Sequence, residues 1–281
     1  CALLLMTAVV GGEKVFAQFN NNTWAFGDSA LINWSNPNNP TIGTSAFTYR
    51  NGSACISDSS TILLYVGYNY YLNPVRPSIW NKFDVDITDS GRIYGGLWYH
   101  SSLFIPDPGN DSNIYLFTAG VTGSTSYGLF YSKINYKANN DSGLVFQKNI
   151  QLNNFPAFDA LMAVRHGSGR DWWLITQRWY APAAQTPSNE FRIYLISPSG
   201  VSGPLIQNIG SNHTTNLGQL VFSSDGSKFV NISMRGLVEL YDFDRCVGTV
   251  MQTTPIEQEP PGLPFIHLFQ SCAFSKDNSK L

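Results

Sequence analysis

Charged side chains are scarce in this chain, and neither sign predominates. Asp, Glu, Lys and Arg make up 13% of the 281 residues, about half of their share in an average soluble domain. The formal net charge is −2, from 17 basic and 19 acidic residues. A surface for nucleic acid or anionic lipid needs clustered basic residues. The sequence therefore indicates neither kind of partner.

Helical periodicity is also lacking. No window of a dozen residues has apolar side chains at i, i+3, i+4 and i+7 without Gly, Pro or β-branched clusters. Apolar residues nevertheless make up 43% of the chain, and aromatic residues make up 14%, which is enough for a sizeable core. The predicted fold class is all-β.

Sequence motifs for catalysis, cofactors and metals are missing. The four histidines are each separated by more than 40 positions, and neither His-x-His nor Cys-x-x-Cys occurs. There is no Gly-x-Ser-x-Gly nucleophile motif and no phosphate-binding glycine loop. We therefore expect no catalytic residue, no cofactor and no metal ion, although a ring-shaped fold could still gather distant residues at its channel.

A nine-residue pattern occurs twice near the C-terminus. In both copies an apolar strand, an Asp turn and a second strand follow one another, at VFSSDGSKF (221–229) and AFSKDNSKL (273–281). The two copies are 52 positions apart. Asp225 with Gly226, and Asp277 with Asn278, are expected to form the turns, because Gly and Asn tolerate positive φ. Self-similarity at this period is typical of repeat architectures.

Less regular copies of the same hairpin precede these two. Their first strands start at Ala54, Ser102 and Leu161, and Asp58 lies in the turn of the first. With the later starts at Leu220 and Cys272, the spacings are 48, 59, 59 and 52 residues. Further strands follow several of the hairpins. The pattern predicts a β-propeller of four-stranded antiparallel blades, with about five blades' worth of chain and a truncated last blade.

The N-terminal residues have the features of a targeting segment. An apolar run at 2–10 is too short to span a bilayer, and Val15-Phe-Ala17 fits the small-residue cleavage rule. We expect a signal peptide over 1–17 that lacks its start, and a propeller fragment over 18–281. The strand-like segment 23–34 is expected to complete the last blade of a ring, since an unpaired sheet edge is a liability.

Short motifs throughout the predicted mature chain carry a family resemblance. They are WAFG (24–27), ISD (56–58), IWN (79–81), FIPDPG (104–109), YGLFY (127–131), AVRH (163–166), DWW (171–173), YDFDRCVG (241–248) and CAFSKD (272–277). The chain resembles secreted WD-repeat-like β-propeller proteins of gliding-type Gram-negative bacteria, which often carry a C-terminal type IX secretion sorting domain. The resemblance implies a propeller fold, export and a cell-surface location. It implies no catalytic residues.

Three cysteines belong to the predicted mature chain. Cys246 and Cys272 are 26 residues apart and lie where the resembling family also tends to have Cys. Export would permit a bridge between them, which would stabilise the fold by about 3–4 kcal/mol. Their strands need not bring the Cα atoms within about 7 Å, however, so bridged and free states both stay open. Cys55 is expected to be a small buried apolar residue.

Aromatic residues are concentrated in and after the DWW motif, at Trp172, Trp173, Trp179 and Tyr180. Such rings can form a ligand surface that stacks on sugars, but they can also fill the wedge between sheets. The favoured function is a secreted or cell-surface module that binds or scaffolds protein or glycan without catalysis. The alternatives are a propeller enzyme acting on glycans or lactones, as a hydrolase or lyase, and a regulatory propeller of a downstream peptidase.

Overall fold

The computed structural model describes residues 22–46, 52–69, 76–89, 91–95, 99–120, 128–155, 157–179, 188–213, 215, 217–258, 269 and 271–281. These residues form antiparallel strands and one helical turn, α1 (Ala138–Asp141), so the predicted all-β class is confirmed. The expected signal peptide at 1–17 lies outside the described residues.

The strands form five antiparallel sheets, numbered here in chain order. Sheet 1 contains β1 (Thr23–Phe26), β2 (Ala30–Asn33) and β3 (Thr41–Thr44). Sheet 2 contains β4 (Ala54–Ser57), β5 (Ile62–Asn69) and β6 (Arg76–Asn81). Sheet 3 contains β7 (Ser102–Pro106), β8 (Asn113–Gly120), β9 (Gly128–Asn135) and β10 (Leu144–Gln151). Sheet 4 contains β11 (Met162–Arg165), β12 (Trp172–Gln177), β13 (Ser188–Ser197) and β14 (Gly200–His213). Sheet 5 contains β15 (Gly218–Phe222), β16 (Lys228–Ser233), β17 (Val238–Asp244) and β18 (Thr249–Glu257).

Every sheet is a meander in which neighbours in sequence are neighbours in space. Sheets 3, 4 and 5 have the four strands expected from the repeat, whereas sheets 1 and 2 have three. In sheet 2 a short segment after β6 extends the ladder. The N–H of Asn81 donates to the carbonyl of Val85, and the N–H of Ile87 donates to that of Ile79 at 2.8 Å. The repeat therefore varies mainly in its outermost strand.

The first strands of consecutive sheets lie side by side, in the order β1, β4, β7, β11 and β15. Backbone contacts link the segments that lead into these strands. The N–H of Leu161 donates to the carbonyl of His100 at 2.9 Å, and Asp159 forms a parallel bridge with Leu217. Each first strand therefore occupies a shared inner position, and the later strands of each sheet extend outward from it.

Apolar clusters fill the spaces between successive sheets. Between sheets 3 and 4, for example, Tyr115 and Phe117 pack with Leu174 and Tyr194. All eight residues of β8 are buried because both faces of sheet 3 are covered. Each large apolar side chain buried in this way contributes about 1.5–3 kcal/mol. The stacking of sheets through both faces, rather than a single central core, holds the chain together.

Among the described residues the segment 23–34 lies in sheet 1, and its expected role in a last blade stays a prediction. It forms β1 and β2, which pair with each other and, through β2, with β3. The reason is local: Asp28 and Ser29 adopt positive φ in the tight turn after β1, so the chain reverses at once. A hairpin between adjacent strands closes a much shorter loop than pairing with a distant blade does.

Candidate functional site

The stacked sheets present two different edges. One edge, called the turn edge, carries the short turns between first and second strands, such as 58–61 and 223–227, and between third and fourth strands, such as 245–248. The opposite edge, called the loop edge, carries the connections between second and third strands and the crossings from one sheet to the next. Functional residues of repeat folds concentrate in such connections, because the sheets hold them in fixed positions.

The turn residues expected from the repeat lie on the turn edge. Asp58 Oδ1 accepts hydrogen bonds from the backbone N–H groups of Ser60 and Thr61, at 2.8 and 2.7 Å. Asp225 Oδ1 accepts from the Ser223 hydroxyl at 2.7 Å and from the Ser227 N–H at 3.0 Å. Hydrogen bonding lowers the pKa of Asp225, mainly through the Ser227 N–H. These carboxylates accept hydrogen bonds from the backbone of their own turns.

The second copy of the repeated turn has the same geometry. Asp277 Oδ1 accepts from the Ser275 hydroxyl at 2.7 Å and from the Ser279 N–H at 3.1 Å, and these bonds lower its pKa to about 2. Asn278 adopts φ +57° where Gly226 has φ +69°. The Asn278 side-chain oxygen also accepts from the Ser224 N–H at 2.9 Å. The two turns are therefore joined, one repeat apart.

Cys246 and Cys272, the disulfide candidates, are free in the structure. Cys246 lies in the last turn of sheet 5 and faces Gly167 of sheet 4. Cys272 packs against the other face of sheet 5 with Val230 and Ile232, where burial raises the pKa of its thiol to about 11. The sheet between them prevents a disulfide. Cys55 is also free and is partly buried.

Two of the aromatic residues predicted as a ligand surface are buried. Trp173 is only 5% exposed and Trp179 only 7%, so both rings lie inside the protein. Trp172 is partly exposed, but the Arg165 guanidinium lies 3.9 Å from the centre of its ring. Tyr180 lies outside the described residues. Trp173 packs between sheets 4 and 5, and Trp172 packs against the cluster between sheets 3 and 4, which is the alternative role for aromatic residues in a propeller.

Among the residues that the structure describes, no group of three or more His, Cys, Asp or Glu side chains could hold a metal ion. None of the described helical residues forms a helix long and apolar enough to cross a membrane.

A buried carboxyl group joins three sheets on the loop edge. Asp159 is fully buried, and its two oxygens accept the backbone N–H groups of His100 at 3.0 Å and Tyr99 at 3.1 Å. Burial raises the pKa of Asp159 to about 7. Asp159 also bridges to Leu217, at the start of sheet 5. Its position gives it a structural role at the crossing points.

A cluster of two arginines, a glutamate and a phenylalanine also lies on the loop edge, at the β12 and β13 ends of sheet 4. Arg192 Nε donates to Glu190 Oε1 at 2.6 Å, and Arg178 Nη1 lies 3.6 Å from Glu190 Oε2. The guanidinium carbons of Arg192 and Arg178 lie 4.1 and 5.2 Å from the centre of the Phe155 ring. We call these four residues the arginine cluster.

The sequence analysis missed the arginine cluster. One signal was present: Glu190 and Arg192 stand two positions apart in a predicted strand, which places opposite charges on one face. No local pattern connects this pair to Arg178 or Phe155, because those residues arrive from β12 and from the segment after β10.

Comparisons with known proteins give little guidance. No protein-family model matches the chain, and no curated protein matches it in sequence. Among solved structures, the chain is similar to an auxiliary nutrient binding protein from Bacteroides thetaiotaomicron, with 7% sequence identity and a TM-score of 0.37. The match covers 85% of this chain but 58% of that protein. A TM-score this low does not establish a shared fold.

Proposed function

We propose that the chain is part of a secreted β-propeller that works as a non-catalytic binding or scaffolding module at the cell surface. One observation carries this proposal: the first strands of five successive sheets lie side by side, while apolar clusters pack each sheet against the next. Radial stacking around an inner set of first strands is the arrangement of propeller blades. Such a scaffold holds its edge loops rigidly, which suits recognition of a partner.

The loop edge is the proposed recognition surface. On the turn edge, the carboxylates of Asp225 and Asp277 are occupied by their own turns. The loop edge instead carries the arginine cluster, in which the Arg178 side chain is 43% exposed. A partly exposed guanidinium beside an aromatic ring is a common element of protein and glycan recognition.

A propeller enzyme would be favoured by carboxyl or imidazole groups with perturbed pKa values that face a channel. Asp159 has a strongly raised pKa, but it is fully buried and both of its oxygens bind backbone N–H groups. The lowered pKa of His100 also follows from burial. These features fit a structural junction, so the non-catalytic module is the better-supported function.

The binding proposal is tested with the purified chain on a glycan array that includes neutral and acidic glycans, together with cell-surface proteins as probes. Binding above background that is lost after substitutions on the loop edge, and kept after substitutions on the turn edge, would support it. Turnover of a glycan or lactone in the same samples would favour an enzyme instead.

Export belongs to the same proposal. It follows from the predicted signal peptide at 1–17 and from the family resemblance, including type IX secretion. N-terminal sequencing of the protein recovered outside the cell should show Gln18 as the first residue. Recovery of the uncleaved chain in the cytoplasm would contradict export.

A further inference from the structure

We infer that the arginine cluster is a binding site for the carboxylate of an acidic sugar, a uronate, with Arg178 as the residue that contacts the ligand. This inference rests on the proposed binding function of the loop edge and names the class of ligand. Three features of the described residues support it: an incompletely paired cation, its fixed position and an unsatisfied buried hydroxyl group.

Arg178 is the incompletely paired cation. Among the described residues its ion-pair partner is Glu190, whose Oε2 lies 3.6 Å from Nη1, which exceeds hydrogen-bond length. Glu190 instead makes its short contact, 2.6 Å, with Arg192. Two guanidinium groups and one carboxylate leave the cluster with one excess positive charge. Because the Arg178 side chain is 43% exposed whereas that of Arg192 is 17% exposed, the excess charge is available at Arg178.

The position of Arg178 is fixed by the fold rather than by a flexible loop. Its backbone N–H donates to the carbonyl of Glu190 at 2.9 Å, and the residue forms an antiparallel bridge with Ala157. Its guanidinium lies over the Phe155 ring. Stacking on a ring leaves the N–H groups at the guanidinium edge free to donate. A positioned guanidinium loses less entropy when it binds a ligand than a mobile side chain does.

The polar groups beneath the cluster are not all satisfied by the chain itself. Thr176 lies directly across from Arg192 in the β12–β13 ladder, so both side chains are on the same face of sheet 4. Thr176 is fully buried, and its hydroxyl has no hydrogen-bond partner among the described residues. If the ion pairs of the cluster served only the fold, the buried hydroxyl beside them would be expected to have a hydrogen-bond partner.

The chemistry of the site favours a carboxylated sugar. A carboxylate matches the planar donor fork of Arg and binds it through two parallel hydrogen bonds. A uronate has one carboxylate per ring, which fits the single excess charge, and its apolar C–H face can pack beside Phe155.

The test measures binding of trigalacturonate and of its fully methyl-esterified form by titration calorimetry at low ionic strength. The ester keeps the sugar ring and removes the charge. We expect trigalacturonate to bind, and the ester to bind at least about tenfold more weakly, because the charge-assisted hydrogen bonds are lost. Binding of both forms with equal affinity, or of neither, would overturn the inference.

Variants locate the site. Arg178→Gln should weaken trigalacturonate binding about tenfold or more, and Arg178→Lys should have a smaller effect because it keeps the charge but not the fork. The matched control is Arg170→Gln, at a 53% exposed arginine on the turn edge of the same sheet, which should leave the affinity unchanged. Equal losses for Arg170→Gln and Arg178→Gln would show non-specific attraction and overturn the site.

Two further outcomes separate this inference from the broader function. Tighter binding of a tetra-aspartate peptide than of trigalacturonate, with the same dependence on Arg178, would replace the sugar with an acidic protein partner. Binding of neutral glycans on the array, unaffected by Arg178→Gln, would overturn the uronate site while the proposed binding function stands. Thermal unfolding of each variant verifies that the folded state persists.

Discussion

The indole Nε1 of Trp173 donates a hydrogen bond of 2.8 Å to the backbone carbonyl of Arg245, and this bond joins sheet 4 to the last turn of sheet 5. His166 adds a second link, because its Nε2 lies 3.0 Å from the carbonyl oxygen of Cys246. The N–H of Gly167 donates to the Arg245 carbonyl at 2.8 Å. Polar contacts along the turn edge thus link sheets 4 and 5, in addition to the apolar cluster between them.

Two adjacent tryptophans allow a matched test of the Trp173 hydrogen bond. Trp173→Phe removes the donor to Arg245 and leaves the carbonyl less satisfied, so it should lower the free energy of unfolding by about 1–2 kcal/mol. Trp172→Phe removes a buried Nε1 that has no partner among the described residues, and should cost less than about 0.5 kcal/mol. Urea denaturation measures both. Equal losses would contradict the role of the Trp173 hydrogen bond.

Asp159 should make stability depend on pH. Its pKa is about 7 in the folded protein, against an ordinary value of 3.8, so the folded state keeps a proton that the unfolded state releases. The contribution of Asp159 to the free energy of unfolding is complete below about pH 4. It is lost as the pH rises through 7, and the loss is roughly 4 kcal/mol at most. Urea midpoints from pH 4 to 8 should fall for the native chain and change less for Asp159→Asn. If the urea midpoints of the native chain and of Asp159→Asn changed equally with pH, the pKa of Asp159 would not be raised in the folded protein.

The hairpins could be predicted from the sequence because their information is local. An apolar strand, an Asp with Gly or Asn, and a second strand specify a turn without reference to the rest of the chain. Asp225 with Gly226 and Asp277 with Asn278 therefore adopt the expected turns. The order of strands within each sheet follows from the same local rule, because short connections pair neighbouring strands.

The candidate site could not be predicted, because it depends on contacts between distant segments. Phe155, Arg178 and Arg192 meet only after sheets 3 and 4 have packed together. The roles of the tryptophans were open for the same reason: a Trp at a strand end can face solvent or a neighbouring sheet. Trp173 faces the neighbouring sheet, because its ring packs against Gly248 in the last turn of sheet 5.

The repeated turn gives a third prediction, at Gly226 and Asn278. Gly226 has φ +69°, and a Cβ there would lie 2.5 Å from Val164 Cγ2 and 2.8 Å from Arg245 Cδ. Gly226→Ala should therefore lower stability by about 1–3 kcal/mol. Gly226→Asn tolerates the backbone angle but keeps the clash, so it should remain destabilising. Asn278→Gly keeps the backbone angle but loses the hydrogen bond from the Ser224 N–H, so it should lower the free energy of unfolding by about 0.5–1.5 kcal/mol. Full stability in Gly226→Asn would show that only the backbone angle matters.

The cysteines should stay reduced in the folded protein. Cys272 is partly buried with a raised pKa, and sheet 5 separates it from Cys246. Non-reducing peptide mapping of the exported protein should therefore recover the Cys246 and Cys272 peptides separately. Cys272→Ala should lower stability by about 1 kcal/mol through lost packing, equally with and without reductant. A linked peptide, or a loss of stability seen only under oxidising conditions, would contradict the free thiols.

The outer face of sheet 1 is apolar and exposed, and it should cause self-association. Trp24, Phe26 and Ile42 are exposed there, and Ile42 reaches 87%. Replacing all three with Thr, which suits strands, should reduce concentration-dependent association in sedimentation experiments, because exposed apolar patches drive such contacts. The free energy of unfolding should fall by only about 1 kcal/mol, because Trp24 and Phe26 are 48% and 41% exposed and Ile42 is almost fully exposed. Ile56→Thr, at a buried position packed between sheets 2 and 3, is the contrast and should cost roughly 2 kcal/mol or more. A comparable loss in the triple variant would mean that this face is covered within the folded protein, as every other face between neighbouring sheets is.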